Sequence, residues 1–195
     1  MDKQPTSAGI ARRFAAKGVF PYQMAFTLLI PLRNIFLSPK ELIRRLELKS
    51  HCVVLEVGSG PGYFSRPIAR FLTRGKLVMA DIQQEMLDYA RKRLNRKGLK
   101  NVDYYLCDGL KFHLQDMIFD RIFLITVIGE VENREAYMAE FYRMLKPGGL
   151  LSISELAGDP DKMTMEEVTA LAEAAGFSAY RFYGNKKNYT VNFLK

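Results

Sequence analysis

Three glycines at alternate positions, Gly58, Gly60 and Gly62, follow a carboxylate at Glu56, and two further acids, Asp81 and Asp108, end apolar runs downstream. Glycine lacks a Cβ, so its backbone adopts torsions other residues avoid and lets a ligand reach van der Waals contact with the main chain. The stretch Cys52-Val53-Val54-Leu55-Glu56-Val57 before the turn is short, β-branched and non-alternating, the pattern of a strand buried on both faces of a parallel sheet. Ligands of open α/β sheets lie at the carboxyl ends of such strands. A glycine turn there, beside acids that accept hydroxyl and amine hydrogens, suits an adenosine-containing cofactor.

The spacing narrows the choice. A dinucleotide fingerprint needs G-x-G-x-x-G, whereas this chain has G-x-G-x-G with Ser59 and Pro61 between the glycines. Glu56 would sit close to a pyrophosphate, which its charge disfavours, while a cofactor with a cationic sulfonium and a free amino group suits it. No G-x-x-x-x-G-K-[ST] run is present, which removes the P-loop nucleotide hydrolases.

The elements that must position these residues alternate between strand and helix. Ser38-Pro39-Lys40-Glu41 reads as a helix start with Ser38 as N-cap and Glu41 closing a capping box. Strands are expected over 52–57, 76–81, 102–107, 119–127 and 150–154, with helices over 63–73, 83–97 and 134–145 between them. Thr164 and Glu167 mark another helix start, and Gly176 its end. Two aromatic runs, 177–183 and 188–193, flank Gly184-Asn185-Lys186-Lys187 as a β-hairpin. The architecture expected is an α/β parallel sheet finished by an antiparallel hairpin.

With these residues in place the chain resembles the class I S-adenosylmethionine-dependent methyltransferases over roughly residues 38 to 183. The first family motif, [DE]-x-G-x-G-x-G, is matched by Glu56 to Gly62, and the acid ending strand two by Asp81. The resemblance implies a Rossmann-like, mostly parallel seven-stranded sheet with helices on both faces. It also implies S-adenosylmethionine as cofactor, bound by Glu56, Gly58, Ser59, Gly60 and Gly62. Asp81 would take both ribose hydroxyls and Ile82 would pack on adenine. Asp108, beside Gly109, matches the acid that receives the adenine amine, and Thr126 and Val127 fall where the family encloses the methionine portion. Leu145-Lys146-Pro147-Gly148-Gly149 looks like the family's turn before strand five. Taken singly, each of these acids also suits a strand end or a helix cap.

Methyl transfer from a sulfonium is an in-line displacement on an activated carbon, so positioning and water exclusion carry most of the catalysis. A general base helps when the acceptor is a hydroxyl or amine, and Glu130, in Thr126-Val127-Ile128-Gly129-Glu130, is the candidate. Small-molecule methyltransferases of similar sequence carry an acid and a histidine there; this chain has Gly129-Glu130. His51 and His113 fall away from the expected cleft, and no metal cluster is visible. The [DNS]-P-P-[YFW] motif of base-amine methyltransferases is absent after strand four. Cys52 and Cys107 lie in apolar runs and read as small buried hydrophobes.

At 195 residues and 48% apolar composition, the chain is expected to form one methyltransferase domain over 38–195 with a helical extension over 1–37. Net charge is +8, and the basicity lies in residues 1–100, with 19 Lys+Arg against 7 Asp+Glu, compared with 10 against 14 in 101–195. Such asymmetry suits an anionic partner, although the cluster from Arg91 to Lys100 also suits a solvated helix face. The extension is aromatic and basic. It reads as a lid that contacts the acceptor through Tyr22, Met24 and Phe26, as a cover for the sheet, or as an interfacial helix that would allow peripheral membrane contact. Its greasy stretch, 24–37, is too short and interrupted to be transmembrane. The first residues lack the basic patch and apolar core of a signal peptide, so a cytoplasmic location is expected. The leading reading is a methyltransferase acting on a small, apolar acceptor. An RNA methyltransferase and a non-catalytic S-adenosylmethionine-binding module are the alternatives, and nucleic acid is the less favoured partner. Oligomeric state is not legible.

Overall fold

The apolar run before the glycine turn forms β1 (Val53–Val57) in a computed structural model that describes residues 37–195. It is followed by α2 (Ser65–Phe71), β2 (Lys76–Asp81), α3 (Gln84–Asn95), β3 (Val102–Leu106) and β4 (Phe119–Ile125), and preceded by α1 (Pro39–Arg45). A 3₁₀ turn (Ile128–Glu130), α4 (Arg134–Met144), β5 (Leu145–Glu155), α5 (Met165–Ala174), β6 (Ser178–Gly184) and β7 (Tyr189–Leu194) complete the order. The expected helical extension lies outside the described residues except for Leu37, which is buried.

The seven strands form one sheet in the order β3-β2-β1-β4-β5-β7-β6. The first five are parallel to their neighbours, and β7 is antiparallel to both β5 and β6. The chain winds outward from β1 through β2 to β3, then returns to β4 on the other side. That reversal leaves a crevice at the carboxyl ends of β1 and β4, where an open α/β sheet places its ligands.

Alternation along the strands divides the core between the two faces of the sheet. Leu55 and Val57 join Ile122, Leu124 and Ile153 beneath Met138 and Phe141 of α4 and Val168 of α5. Val54 joins Leu77, Phe123 and Leu150 beneath Leu42 of α1, Ile68 of α2 and Leu87 and Leu94 of α3. Each such side chain contributes about 1.5–3 kcal/mol through burial, so the strands that carry the site are held from both sides.

Local signals set the helix ends. Thr164 and Glu167 make the expected capping box on α5: Glu167 N–H donates to Thr164 Oγ1 at 3.2 Å, and Thr164 N–H to Glu167 Oε2 at 2.8 Å. At α1 only half of the expected box forms. Ser38 Oγ accepts from Glu41 N–H at 3.2 Å, but the Glu41 carboxylate is taken by Arg44 and Arg45, whose guanidiniums hold its pKa down to about 2. The strand expected to open at Leu150 begins at Leu145, which pairs with Phe119. Lys146 to Gly149 bulge before the regular register resumes at Leu150.

Candidate active site

The glycine turn is pinned to the end of β2. Gly58 and Ser59 N–H both donate to Ala80 O, at 2.9 and 3.1 Å, and Gly60 N–H donates to Asp81 Oδ2 at 2.8 Å. The other carboxylate oxygen, Asp81 Oδ1, accepts from Gln83 N–H at 2.9 Å, so one acid braces two backbone segments. The left-handed φ of +66° at Gly58 demands glycine, and a Cβ there would lie 2.4 Å from Val127 Cγ2. That close approach lets the turn meet the end of β4.

These segments border a cavity of about 530 Å³. Glu56 is only 4% exposed and lines it, and its Oε2 has no hydrogen-bond partner. Burial, aided by the neighbouring charge of Asp81 and opposed by the Ser65 hydroxyl, pushes the Glu56 carboxyl up to about 8. Burial likewise raises Asp81 to about 6, although its backbone N–H donors oppose the shift. Two carboxyls so placed favour a ligand that brings positive charge and hydroxyl donors. Cys107, also in the wall, is a buried free thiol pushed up to about 12 by burial, and is therefore inert.

The opposite wall begins where β4 ends. Thr126, a β-branched residue, takes φ +54°, a strained torsion of the kind that clusters at functional sites. Its N–H donates to Ser154 O at 2.9 Å and its hydroxyl to Ile125 O at 2.7 Å, which hold it there. The 3₁₀ turn follows, and Arg134 clasps it by donating to Ile128 O at 3.1 Å and Gly129 O at 2.6 Å. A Cβ on Gly129 would lie 1.8 Å from Asp161 O, so the turn packs directly on the loop after β5. Glu130 is solvent-exposed overall, yet desolvation of its carboxyl, reinforced by Asp159 and Asp161, pushes it up to about 7.

Glu56, Gly58, Ser59, Gly60, Asp81, Ile82, Gly109, Thr126, Val127 and Glu130 all line this one cavity. Gly62 stands behind the turn, its N–H donating to Ser59 O at 3.1 Å. Asp108 does not line the cavity: its Oδ1 caps its own loop by accepting from Leu110 and Lys111 N–H at 2.8 and 2.9 Å. Tyr22, Met24 and Phe26 lie outside the described residues. Sequence reasoning missed Tyr63, Tyr137 and the loop from Leu156 to Asp161, which complete the wall. Gly158-Asp159-Pro160 directly after β5 was the available signal, since loops at strand carboxyl ends carry ligands. Among the described residues, no group of three or more His, Cys, Asp or Glu side chains could hold a metal ion.

A family model described as a methyltransferase domain matches residues 54–149, from β1 to the bulge of β5. A SAM-dependent methyltransferase from Aquifex aeolicus shares the fold with a TM-score of 0.84 at 26% identity, over 90% of this chain and 98% of that one. The chain belongs to the class I S-adenosylmethionine-dependent methyltransferases. Among this methyltransferase's relatives, the ubiquinone/menaquinone biosynthesis C-methyltransferase UbiE of Hydrogenovibrio crunogenus is 33% identical over 54% of this chain and 42% of its own length. The methyltransferase GfsG of Streptomyces halstedii is 32% identical over 71% of this chain and 48% of its own. The chain thus spans about half the length of these relatives. S-adenosylmethionine is the cofactor of the family, and the methyltransferase cavity fits it in chemistry. Among the described residues the buried Glu56 Oε2 has no hydrogen-bond partner, and with Asp81 it gives the wall an acidic side suited to a cationic, hydroxyl-bearing ligand. No helix among the described residues is long and apolar enough to cross a membrane.

Proposed function

We propose that this protein transfers a methyl group from S-adenosylmethionine to a small, largely apolar acceptor that carries an ionisable hydroxyl or amine, with Glu130 as general base. The observation that carries the reading is the convergence of Glu56, Asp81 and Glu130 on one cavity walled by Phe64, Val127, Val131, Tyr137 and Leu156. When bound, S-adenosylmethionine supplies a methyl carbon already activated by its cationic sulfur. Glu56 would accept from the cofactor's ammonium group and Asp81 from the ribose hydroxyls, while Ile82 and Gly109 would border the adenine. Thr126 and Val127 would enclose the methionine portion, on the wall that also carries Glu130. Glu130 takes the acceptor's proton as the new bond forms, and its carboxyl near neutrality is poised for that role. Its exposed outer side then passes the proton to water. The apolar walls exclude solvent from the displacement.

A small-molecule acceptor agrees with the printed name of the UbiE relative, whose reaction is a C-methylation in quinone biosynthesis. We assign residues 38–195 to the catalytic domain and 1–37 to a cover for the acceptor that brings Tyr22, Met24 and Phe26 against it, in a protein working in the cytoplasm. The test is transfer of labelled methyl from S-adenosylmethionine across hydroxylated aromatic, quinol and amine acceptors, alongside calorimetric titration of the cofactor. Transfer by the wild type and its loss in Glu130→Gln at unchanged cofactor affinity support the reading. Cofactor binding without transfer to any acceptor class overturns it in favour of a binding module.

A further inference from the structure

A second cleft, with a volume near 410 Å³, shares Tyr63 with the main cavity and is otherwise lined by Pro39, Arg66, Pro67, Arg70 and Arg93. Arg66 and Arg70 stand four residues apart on α2 and so share a face, and Arg93 reaches in from the last turn of α3. Among the described residues, none of the three guanidiniums lies within ion-pair distance of a carboxylate. Arg93 Nη1 donates to Pro61 O at 3.2 Å and Gly62 O at 2.6 Å, and among the described residues its Nε and Nη2 have no hydrogen-bond partner. Burial and the neighbouring Arg66 lower the Arg93 pKa against a smaller opposing influence of Tyr89, as expected of cations held close together.

Three convergent cations without an acid are costly when empty and favourable around an anion. The planar forks of guanidinium match phosphate oxygens in pairs. Among the described residues, the cations that line the cleft are these three. The neighbouring cation Arg91 is taken by Asp88 at 3.2 Å and stacks 4.7 Å from the Tyr104 ring centroid, so it does not add to the cleft.

We propose that Arg66, Arg70 and Arg93, with Tyr63, form a site for a single phosphoryl group, carried by a soluble phosphate ester or by a phospholipid headgroup. Because Tyr63 borders both cavities, a molecule anchored there by its phosphate lies beside the main cavity. Occupancy of the site does not depend on the methyl-transfer reading; only its use for an acceptor does.

The test uses the full chain and a binding readout independent of methyl transfer. One arm titrates inorganic phosphate by calorimetry, and the other measures co-sedimentation with phosphatidylcholine vesicles with and without phosphatidylglycerol. Arg66→Gln/Arg70→Gln is compared with Lys186→Gln/Lys187→Gln, which removes the same charge at the β6–β7 hairpin. The expected result is saturable binding in at least one arm, weakened about tenfold or more in the arginine variant and unchanged in the lysine variant. Binding to vesicles alone identifies a headgroup, binding to phosphate alone a soluble ester, and both the shared chemistry. No binding in either arm or equal loss in the two variants overturns the proposal, as does binding found only in a parallel titration with poly(U) RNA. Arg70→Gln alone, at an exposed position, keeps the comparison open should the double variant fail to fold.

Discussion

Asp81 Oδ2 accepts the Gly60 N–H at 2.8 Å, so the carboxylate that ends β2 holds the glycine turn that ends β1. The two halves of the proposed cofactor site are therefore one mechanical unit, and an acid placed for ribose recognition also fixes the turn.

Asp81→Ala removes both functions. A hydrogen bond to a charged group contributes about 1.5–3 kcal/mol, so cofactor affinity is expected to fall by about 10- to 100-fold or more in calorimetric titration. Asp81→Asn keeps one oxygen for Gly60 N–H and is expected to lose less. Equal losses in the two variants would show that the charge, and not the brace, is what matters.

Burial makes this site, and the buried Glu155 at the end of β5, respond to pH in a defined direction. Glu56 and Glu155 are raised to about 8, Glu130 to about 7 and Asp81 to about 6, all above their ordinary values of 4.5 for Glu and 3.8 for Asp. The folded protein without cofactor thus holds more protons than the unfolded chain across this window. The stability these groups contribute is fully present below about pH 4 and is lost as pH rises to about 8. The Tm of the free protein should fall between pH 5 and 8, about the span of those shifts, and Glu155→Gln should flatten that decline. A cationic cofactor reverses the preference at Glu56 by favouring its ionised form. Titration near pH 7 in buffers of different ionisation enthalpy should therefore detect proton release on binding, and Glu56→Gln should reduce it.

Much of this arrangement was legible because it rests on local chemistry. The glycine spacing, the acids ending β1 and β2 and the Thr164–Glu167 box each depend on residues a few positions apart. What was hidden depends on competition between neighbours for one carboxylate, or on partners far along the chain. Glu41 carries the capping-box signature, but Arg44 and Arg45 compete for its carboxylate with charge and prevail. Asp108 matches a motif by position, yet the N–H groups of Leu110 and Lys111 turn one of its oxygens back into its own loop. Leu156 to Asp161 has no periodicity, and only the register of β5 beside β4 carries it over the cavity.

Gly58→Ala tests the close approach of β1 to β4. The new methyl group would meet Val127 Cγ2 at 2.4 Å in a backbone conformation unfavourable for alanine, so stability should drop by about 1–3 kcal/mol. Thermal or urea denaturation measures this, and cofactor affinity should fall with it. Val127→Ala in the same chain relieves the clash but not the φ of +66°, so partial recovery is expected. Full recovery would assign the whole cost to the side-chain contact.

Glu130 acts only if the 3₁₀ turn presents it correctly, and the turn is held by Arg134 on one side and the Asp161 backbone on the other. Glu130→Gln should lower kcat by about 10²- to 10⁴-fold, the usual range for a general base, and abolish the limb of the pH–rate profile near 7. Cofactor Kd should stay unchanged, because the binding acids lie on β1 and β2. Gly129→Ala leaves the carboxylate in the chain but drives a methyl group into Asp161 O, which must displace the turn or the loop. It should lower kcat while retaining the pH limb, since the base is misplaced and not removed. A pH profile flat in both variants would show that Gly129→Ala had removed Glu130 from the reaction altogether, whereas a limb kept in both would assign the proton to another group.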